Sequence, residues 1–259
     1  MSTFATKDRE ILEALAKCRN EFRNLEEVLA FYENLFRLQF AFKSLHLSRG
    51  GYMGEISMSK CSAGEPQVTF DELQMGTAPF PGLFADISKL LGSYAGISAP
   101  AEGPEGEWVL SEARAIYSAR TPLVFSGWEE NLPRTAAGLT MAPFLFRARE
   151  VLLPAFPQDS WGREYCPVCG GVPSMARLSE PHGFRDLLCS RCHAEWKYPR
   201  VGCPFCLEKF GQTYYPSEDG RHRLYVCSRC RRYLKCVDAR AGDPQICLPV
   251  EAIVTVGMD

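Results

Sequence analysis

The apolar side chains Phe22, Leu25, Leu29, Tyr32 and Phe36 recur at steps of three and four residues, with Glu, Arg and Asn between them. An α-helix turns once in about 3.6 residues, so this spacing gathers the apolar groups on one face and predicts an amphipathic helix. It should end near Gly50-Gly51, where two glycines remove the preference for helical backbone. Asp71 to Leu91, Glu105 to Ala119 and Pro133 to Leu153 are further helical stretches, parted by breaks such as Ala78-Pro79-Phe80-Pro81-Gly82 and Ala99-Pro100. Pro143 lies inside the last of them and should kink or divide it, because proline has no N–H to give the preceding turn. The least polar segment, Ala136 to Phe146 between Arg134 and Arg147, falls well short of the roughly 20 residues that span a bilayer. It reads as the buried centre of an irregular helical bundle.

Past residue 160 the texture changes. Of twelve cysteines, only Cys18 and Cys61 precede residue 166, and the other ten lie between Cys166 and Cys247. Residues 1–160 carry 15 Lys and Arg against 20 Asp and Glu, whereas 161–238 carry 13 against 8, so an acidic front meets a basic back. The whole, 259 residues with 46% hydrophobic positions and a net charge of -2, has room for several small domains and lacks the overall basicity of a dedicated duplex-DNA binder. Charges at Lys7, Asp8, Arg9, Glu10 and Glu13 interrupt any secretory apolar run in the first 18 residues, so the expected setting is the cytoplasm, without membrane insertion. In a reducing compartment, clustered cysteines serve metals or redox chemistry more often than structural disulfides.

The cluster has a regular form. Cys166-Pro-Val-Cys169, Cys189-Ser-Arg-Cys192, Cys203-Pro-Phe-Cys206 and Cys227-Ser-Arg-Cys230 are four CxxC pairs, parted by 19, 10 and 20 residues. Two residues between cysteines let a tight turn aim both sulfurs at one point, and a second such knuckle completes a tetrahedral shell. Sequential pairing puts Cys166, Cys169, Cys189 and Cys192 on one metal and Cys203, Cys206, Cys227 and Cys230 on the other. A cross-brace would instead join the first and third pairs. Units of about 30 residues have too little apolar core to fold unaided, so the metal must supply folding free energy. Two divalent ions in tetrathiolate shells add -2 each to the +5 of residues 161–238, leaving about +1, which argues against nucleic acid as the partner.

Tetrathiolate sites accept zinc or iron. Gly170, after the first knuckle, matches a rubredoxin turn and can take positive φ; His193, Leu207 and Arg231 stand at the equivalent places of the others. Disulfide exchange finds no βαβ context around any pair. Cys18, in a helical pattern, and Cys61, in a polar loop, read as core filler or ordinary thiols, and Cys236 and Cys247 have no assigned role. His46, His182, His193 and His222 form no ligand or triad spacing, and neither a GxSxG nor a phosphate-binding motif is present, so no catalytic constellation is visible and the chain reads as a non-enzyme. Trp161, Trp196, Tyr198, Phe205, Tyr225 and Tyr233 are interleaved with the knuckles, either as miniature cores or as a recognition surface.

Cys166-Pro-Val-Cys169-Gly170-Gly171, Leu188-Cys189-Ser190-Arg191-Cys192 with Glu195-Trp196, Arg200, Cys203-Pro-Phe-Cys206, and Cys227-Ser-Arg-Cys230 followed by Tyr233-Leu234-Lys235 together resemble the formate dehydrogenase accessory protein FdhE family. The resemblance spans roughly residues 160–240. It implies a multidomain α+β chain: a helical domain over 1–160, a first rubredoxin-like or zinc-ribbon β module over 161–200, and a second over 201–259 with the C-terminal segment. It implies an assembly factor that binds the catalytic subunit of formate dehydrogenase, with two metal ions, zinc or iron, on the eight cysteines. Glu195, Trp196, Tyr233 and Lys235 match motif positions and are candidate partner-binding residues. Ala194 departs from the family, which commonly has Thr before Glu-Trp. The alternatives are a rubredoxin-like iron protein with a redox role toward a metalloenzyme and, more remotely, a zinc-ribbon nucleic-acid binder. The acidic front could also favour a basic client segment.

Overall fold

A computed structural model describes residues 4–48, 51–97, 105–120, 122–123, 128–179, 185–241 and 246–259; Ala99-Pro100 and His182 lie outside them. The chain divides into a helical unit, Met1–Glu55 with Val68–Pro154, and a strand-rich unit, Ile56–Gln67 with Ala155–Asp259. No helix among the described residues is long and apolar enough to cross a membrane.

In the helical unit, α1 (Thr6–Glu21) and α2 (Glu26–Phe42) are separated by a short 3-10 turn at Arg23–Leu25. The apolar stripe from Phe22 to Phe36 therefore begins before α2. Helical backbone continues past Phe42 as a π turn, Lys43–Leu47. The stretch expected from Asp71 opens as two 3-10 turns, and α4 (Phe80–Ala95) begins only after Pro79, with Pro81 in its first turn, where a missing N–H costs nothing. α5 (Gly106–Ser118) and α6 (Leu132–Leu152) follow.

Every residue of Ala136–Phe146 is buried. Of the two outcomes expected from Pro143, division does not occur: α6 runs through it. The Leu139 carbonyl, four residues back, lacks its usual N–H donor, and the side-chain Nε2 of Gln39 on α2 donates to it at 2.9 Å. The substitute is itself buried, so the carbonyl is not left unpaired in the core. A second buried polar contact sits nearby: the Lys43 ammonium lies 2.7 Å from Asp8 Oδ2 and also meets Glu150.

The strand-rich unit holds a six-stranded sheet in the order β3-β2-β1-β6-β5-β4. The strands are β1 (Pro173–Leu178), β2 (Arg185–Cys189), β3 (Glu195–Tyr198), β4 (Gln212–Pro216), β5 (His222–Cys227) and β6 (Tyr233–Asp238). Each set of three consecutive strands is an antiparallel meander, and the two sets join through the parallel pair β1 and β6. The fold is thus α+β, with a helical front followed by two zinc-ribbon modules that share one sheet. A closing helix, α7 (Leu248–Val254), packs Leu248 against Met175, Leu188 and Val237. Residues 56–67 also belong to this unit. They hold a short helix, α3 (Met58–Ala63), so Cys61 is a buried helical residue and not part of a polar loop. Gln67 N–H donates to the Pro167 carbonyl inside the first knuckle at 2.9 Å, and Tyr165 Oη donates to Gly64 O at 2.5 Å.

Candidate metal centres

All four knuckles share one backbone form. The amide of each first cysteine donates to the carbonyl five residues on: Cys166 to Gly171, Cys189 to Ala194, Cys203 to Glu208 and Cys227 to Arg232, at 2.8 to 3.0 Å. The residue after each second cysteine takes positive φ: Gly170 at 71°, His193 at 56°, Leu207 at 62° and Arg231 at 58°. Three non-glycine residues therefore occupy a region that costs an L side chain about 1–2 kcal/mol. The rubredoxin-like turn, complete in sequence only at Gly170, is complete in backbone at all four. The two second knuckles are tied back identically, with Ser190 N–H to Val172 O at 3.0 Å and Ser228 N–H to Gly211 O at 3.1 Å.

These turns bring the sulfurs together in sequential pairs. Cys166, Cys169, Cys189 and Cys192 form one group, and Cys203, Cys206, Cys227 and Cys230 the other, with the sulfurs of each group within 4.8 Å of one another. The cross-brace is not the arrangement found. Sulfur separations are 3.5 Å for Cys166–Cys192 and Cys169–Cys189, 3.7 Å for Cys169–Cys192, and 3.7 Å for Cys203–Cys230 and Cys206–Cys227. A disulfide would need about 2.0 Å. A tetrahedron with metal–sulfur bonds of about 2.3 Å has edges of about 3.8 Å, so both groups have the size and donor chemistry of a tetrathiolate shell and can hold a metal ion. Four thiols packed this closely also perturb one another. Burial and neighbouring sulfurs push Cys166 and Cys192 well above the ordinary thiol range. Burial works the same way on Cys169, but hydrogen bonds from Cys166, Cys189 and Cys192 and the charge of Arg191 bring it well below that range.

The surroundings of the two groups differ. All four cysteines of the first are buried, whereas Cys206 and Cys230 of the second are partly exposed. Arg191, inside the second knuckle of the first group, is fully buried and lies across Gly171, where a Cβ would come within 2.9 Å of its Cδ and 3.0 Å of Cys189 Sγ. Its counterpart Arg229 is exposed and paired with Glu208 at 3.0 Å. Burial pushes Cys203 up to about 12, while the amides of Cys230 and Arg229 help draw Cys227 down to about 7.

The central-domain model of FdhE matches residues 165–200, which include the whole first group. Along its full length the chain is 24% identical to the FdhE homolog of Aquifex aeolicus (strain VF5), of which it covers 92%. Both along its full length and through its first cysteine group, the chain is similar to FdhE proteins. A 132-residue segment is 32% identical to the FdhE protein of Escherichia coli (strain K12), covering 46% of this chain and 42% of that one. The fold matches the crystal structure of the FdhE protein from Pseudomonas aeruginosa with a TM-score of 0.59 at 21% identity, covering 100% of this chain and 91% of that one.

The four motif residues named as candidates for partner binding each make contacts within the fold. Trp196 is 1% exposed, and its Nε1 donates to the Arg163 carbonyl at 2.8 Å, pinning the chain just before Cys166. Glu195 meets Arg177 at 3.1 Å, and Arg177 also meets Asp186, so one ion ladder crosses β1, β2 and β3. Lys235 is buried; its ammonium donates to the Ala252 and Thr255 carbonyls and to Asp259, capping the end of α7. Trp196 and Lys235 are thus both buried within the chain, with their polar atoms bonded inside it. Tyr233, 40% exposed, donates to Asp259 at 2.9 Å and keeps part of its ring at the surface.

Sequence reading missed Arg185. It is 1% exposed on β2, and its guanidinium donates to Pro199 O at 3.0 Å and Gly202 O at 2.7 Å. It thereby fastens the loop that leads into Cys203. A single charged residue in a strand pattern carries no sequence signal for such a role.

Proposed function

We propose that the chain is an accessory factor in the maturation of formate dehydrogenase, acting by binding its catalytic subunit and not by catalysing a reaction. The observation that carries this reading is the pair of closely gathered tetracysteine groups within a strand unit similar to that of FdhE proteins. In this reading residues 161–200 and 201–259 are two metal modules. Cys166, Cys169, Cys189 and Cys192 hold one ion and Cys203, Cys206, Cys227 and Cys230 the other. Each bound ion neutralises part of the thiolate charge and fixes two knuckles to each other, so loops too short for an apolar core become a rigid surface. The protein residues do the rest: Trp196 and Arg185 fasten the approaches to Cys166 and Cys203, and Lys235 with Tyr233 ties α7 to β6. Tyr233 is the motif residue placed to touch a client directly. The cytoplasm is the compartment proposed.

The test is co-purification of the catalytic subunit with the metal-replete chain. Replacing Cys203 and Cys206 with Ser should abolish it, and a strain lacking the protein should lose active formate dehydrogenase. Full enzyme yield in that strain would overturn the reading.

One observation favours a second reading, in which the ion is iron and the protein carries electrons: the rubredoxin-like backbone at all four knuckles, with Cys206 and Cys230 partly exposed. Ferric tetrathiolate is red and zinc colourless, so the visible spectrum and metal content of protein purified without added metal decide between them. Colourless, zinc-replete protein that supports full maturation would end the redox reading.

A further inference from the structure

β4 is an end strand of the sheet, and no described residue pairs with its outer edge. Which of its backbone groups face outward follows from the ladder with β5. Ser217 N–H donates to His222 O, and Ser228 N–H donates to Gly211 O. Gly211 and Ser217 therefore point their backbone groups toward β5. Between them the register runs Thr213 opposite Val226 and Tyr215 opposite Leu224, in the same phase. The alternate residues Gln212, Tyr214 and Pro216 consequently turn theirs away. The free edge offers N–H and C=O at Gln212 and Tyr214 and a C=O alone at Pro216. Proline fits here because the N–H it lacks would have faced outward.

Exposed edges are usually blunted by charge or cover. Pro216 blunts one end of this edge, but Gln212 and Tyr214 remain open, and large apolar groups are exposed on the strand and just before it: Tyr214 and Tyr215 on β4, Leu207 and Phe210 ahead of it, are between 50% and 79% exposed. Tyr214 is held in place by the Tyr225 ring, centroids 5.6 Å apart, and by the Arg223 guanidinium 5.0 Å from its own centroid.

We propose that the β4 edge is a docking strand for an extended, proline-free segment of the client polypeptide, which adds to the sheet as a seventh strand beside Gln212, Tyr214 and Pro216. Main-chain bonds to Gln212 and Tyr214 give affinity, and alternate apolar residues of the segment meet Tyr214 on one face and Tyr215 on the other. A second copy of the chain fits the edge less well. Antiparallel self-pairing about Tyr214 sets each Pro216 opposite Gln212, so two of the six possible main-chain bonds are lost. Five residues also give an edge of only about 17 Å, short for the roughly 800 Å² per partner that a stable dimer buries. A small edge suits a partner that must be released. This inference rests on the client-binding reading above.

The test compares Tyr214→Pro with Tyr214→Ala in the full, metal-replete chain, using the intact formate dehydrogenase catalytic subunit and overlapping synthetic peptides from it as probes. Because the Tyr214 N–H faces outward, proline there keeps the ladder with β5; circular dichroism and a metal content equal to the parent's check the fold. Tyr214→Pro should weaken binding at least tenfold, and Tyr214→Ala, which keeps the N–H, by less. The amides of Gln212 and Tyr214 should gain protection from hydrogen exchange when client is added to the parent chain. Parent-like binding by the proline variant, with unchanged exchange at those amides, would overturn the edge proposal while client binding stood. A parent chain that binds neither probe would overturn both readings. A dimer in sedimentation that the proline variant dissolves would assign the edge to a second copy and overturn the peptide proposal.

Discussion

The two tetracysteine groups are built from the same turn and differ in what surrounds it. In the first, all four cysteines are buried, β1 and β2 are mostly inside, and Arg191 is buried beside the thiolates. In the second, two cysteines are partly exposed, β4 is largely exposed along its length, and Arg229 points to solvent. A buried dianionic shell next to a buried cation is expensive to open, because either charge alone would be left in a low dielectric. A half-exposed shell can be hydrated as it opens. One motif thus gives a fixed centre beside strands that are mostly inside and an accessible one beside strands that are largely exposed or half-buried.

The largest effect that can break this comparison is metal removal, since structural zinc contributes on the order of 10–16 kcal/mol of apparent binding free energy in small modules. A competing chelator should release metal in two phases of equal amplitude, the first from the Cys203, Cys206, Cys227 and Cys230 group and at least tenfold faster. Cys189→Ser should cost soluble protein, whereas Cys230→Ser should lose one metal and keep most of the circular dichroism. A single release phase would remove the distinction.

Next come the paired arginines. Arg191→Leu should destabilise the metal-replete protein by about 3–5 kcal/mol in chemical denaturation, the cost of leaving a buried charge uncompensated. Arg229→Ala should stay within about 1 kcal/mol, as for other surface ion pairs. Equal losses would show that burial does not separate the two sites.

A change in the helical unit gives the comparison a reference. Gln39→Leu leaves the Leu139 carbonyl opposite Pro143 without its donor, which should cost about 1–3 kcal/mol and lower the thermal midpoint. Both metals should stay bound, as elemental analysis would show.

The smallest effect concerns the left-handed residues. Leu207→Gly and His193→Gly each relieve backbone strain, offset in part by glycine's extra freedom in the unfolded chain, for a net gain of about 0.5–1 kcal/mol. At Leu207 the gain should appear as slower metal release from the exposed group, and at His193 as greater resistance to denaturant. No change at either would mean that the surrounding turn already offsets the strain.

Much of this was legible in the chain. The CxxC spacings carry the ligands because the turn that aims two sulfurs at one point is local, needing only the intervening residues and the one that follows. Positive φ was legible at Gly170 alone; His193, Leu207 and Arg231 adopt it because their first-cysteine partners hold the turn closed with the same backbone hydrogen bond. The buried character of Ala136 to Phe146 was equally plain, since a run without charge has nowhere else to go. The continuity of α6 through Pro143 was not. It depends on Gln39, about a hundred residues earlier, and no local rule links a glutamine to a distant orphaned carbonyl. Nor did the motif positions of Trp196 and Lys235 reveal that one pins the approach to Cys166 and the other caps α7, because burial is a property of the assembled sheet.

By itself the sequence determined the eight sulfurs, the helical front and the resemblance to FdhE proteins, all from patterns that repeat over a few residues; which pairs share a site was decided in space. Only the tertiary structure decided that β1 and β6 would pair, and that pairing has the consequences developed above. It sets β1 and β6 at the centre of the sheet and leaves β3 and β4 as its two ends. Two modules with nearly the same local code nonetheless differ in burial, since burial depends on what the assembled fold packs against each strand: of the two end strands, β3 keeps Trp196 and Tyr198 inside and β4 is largely exposed.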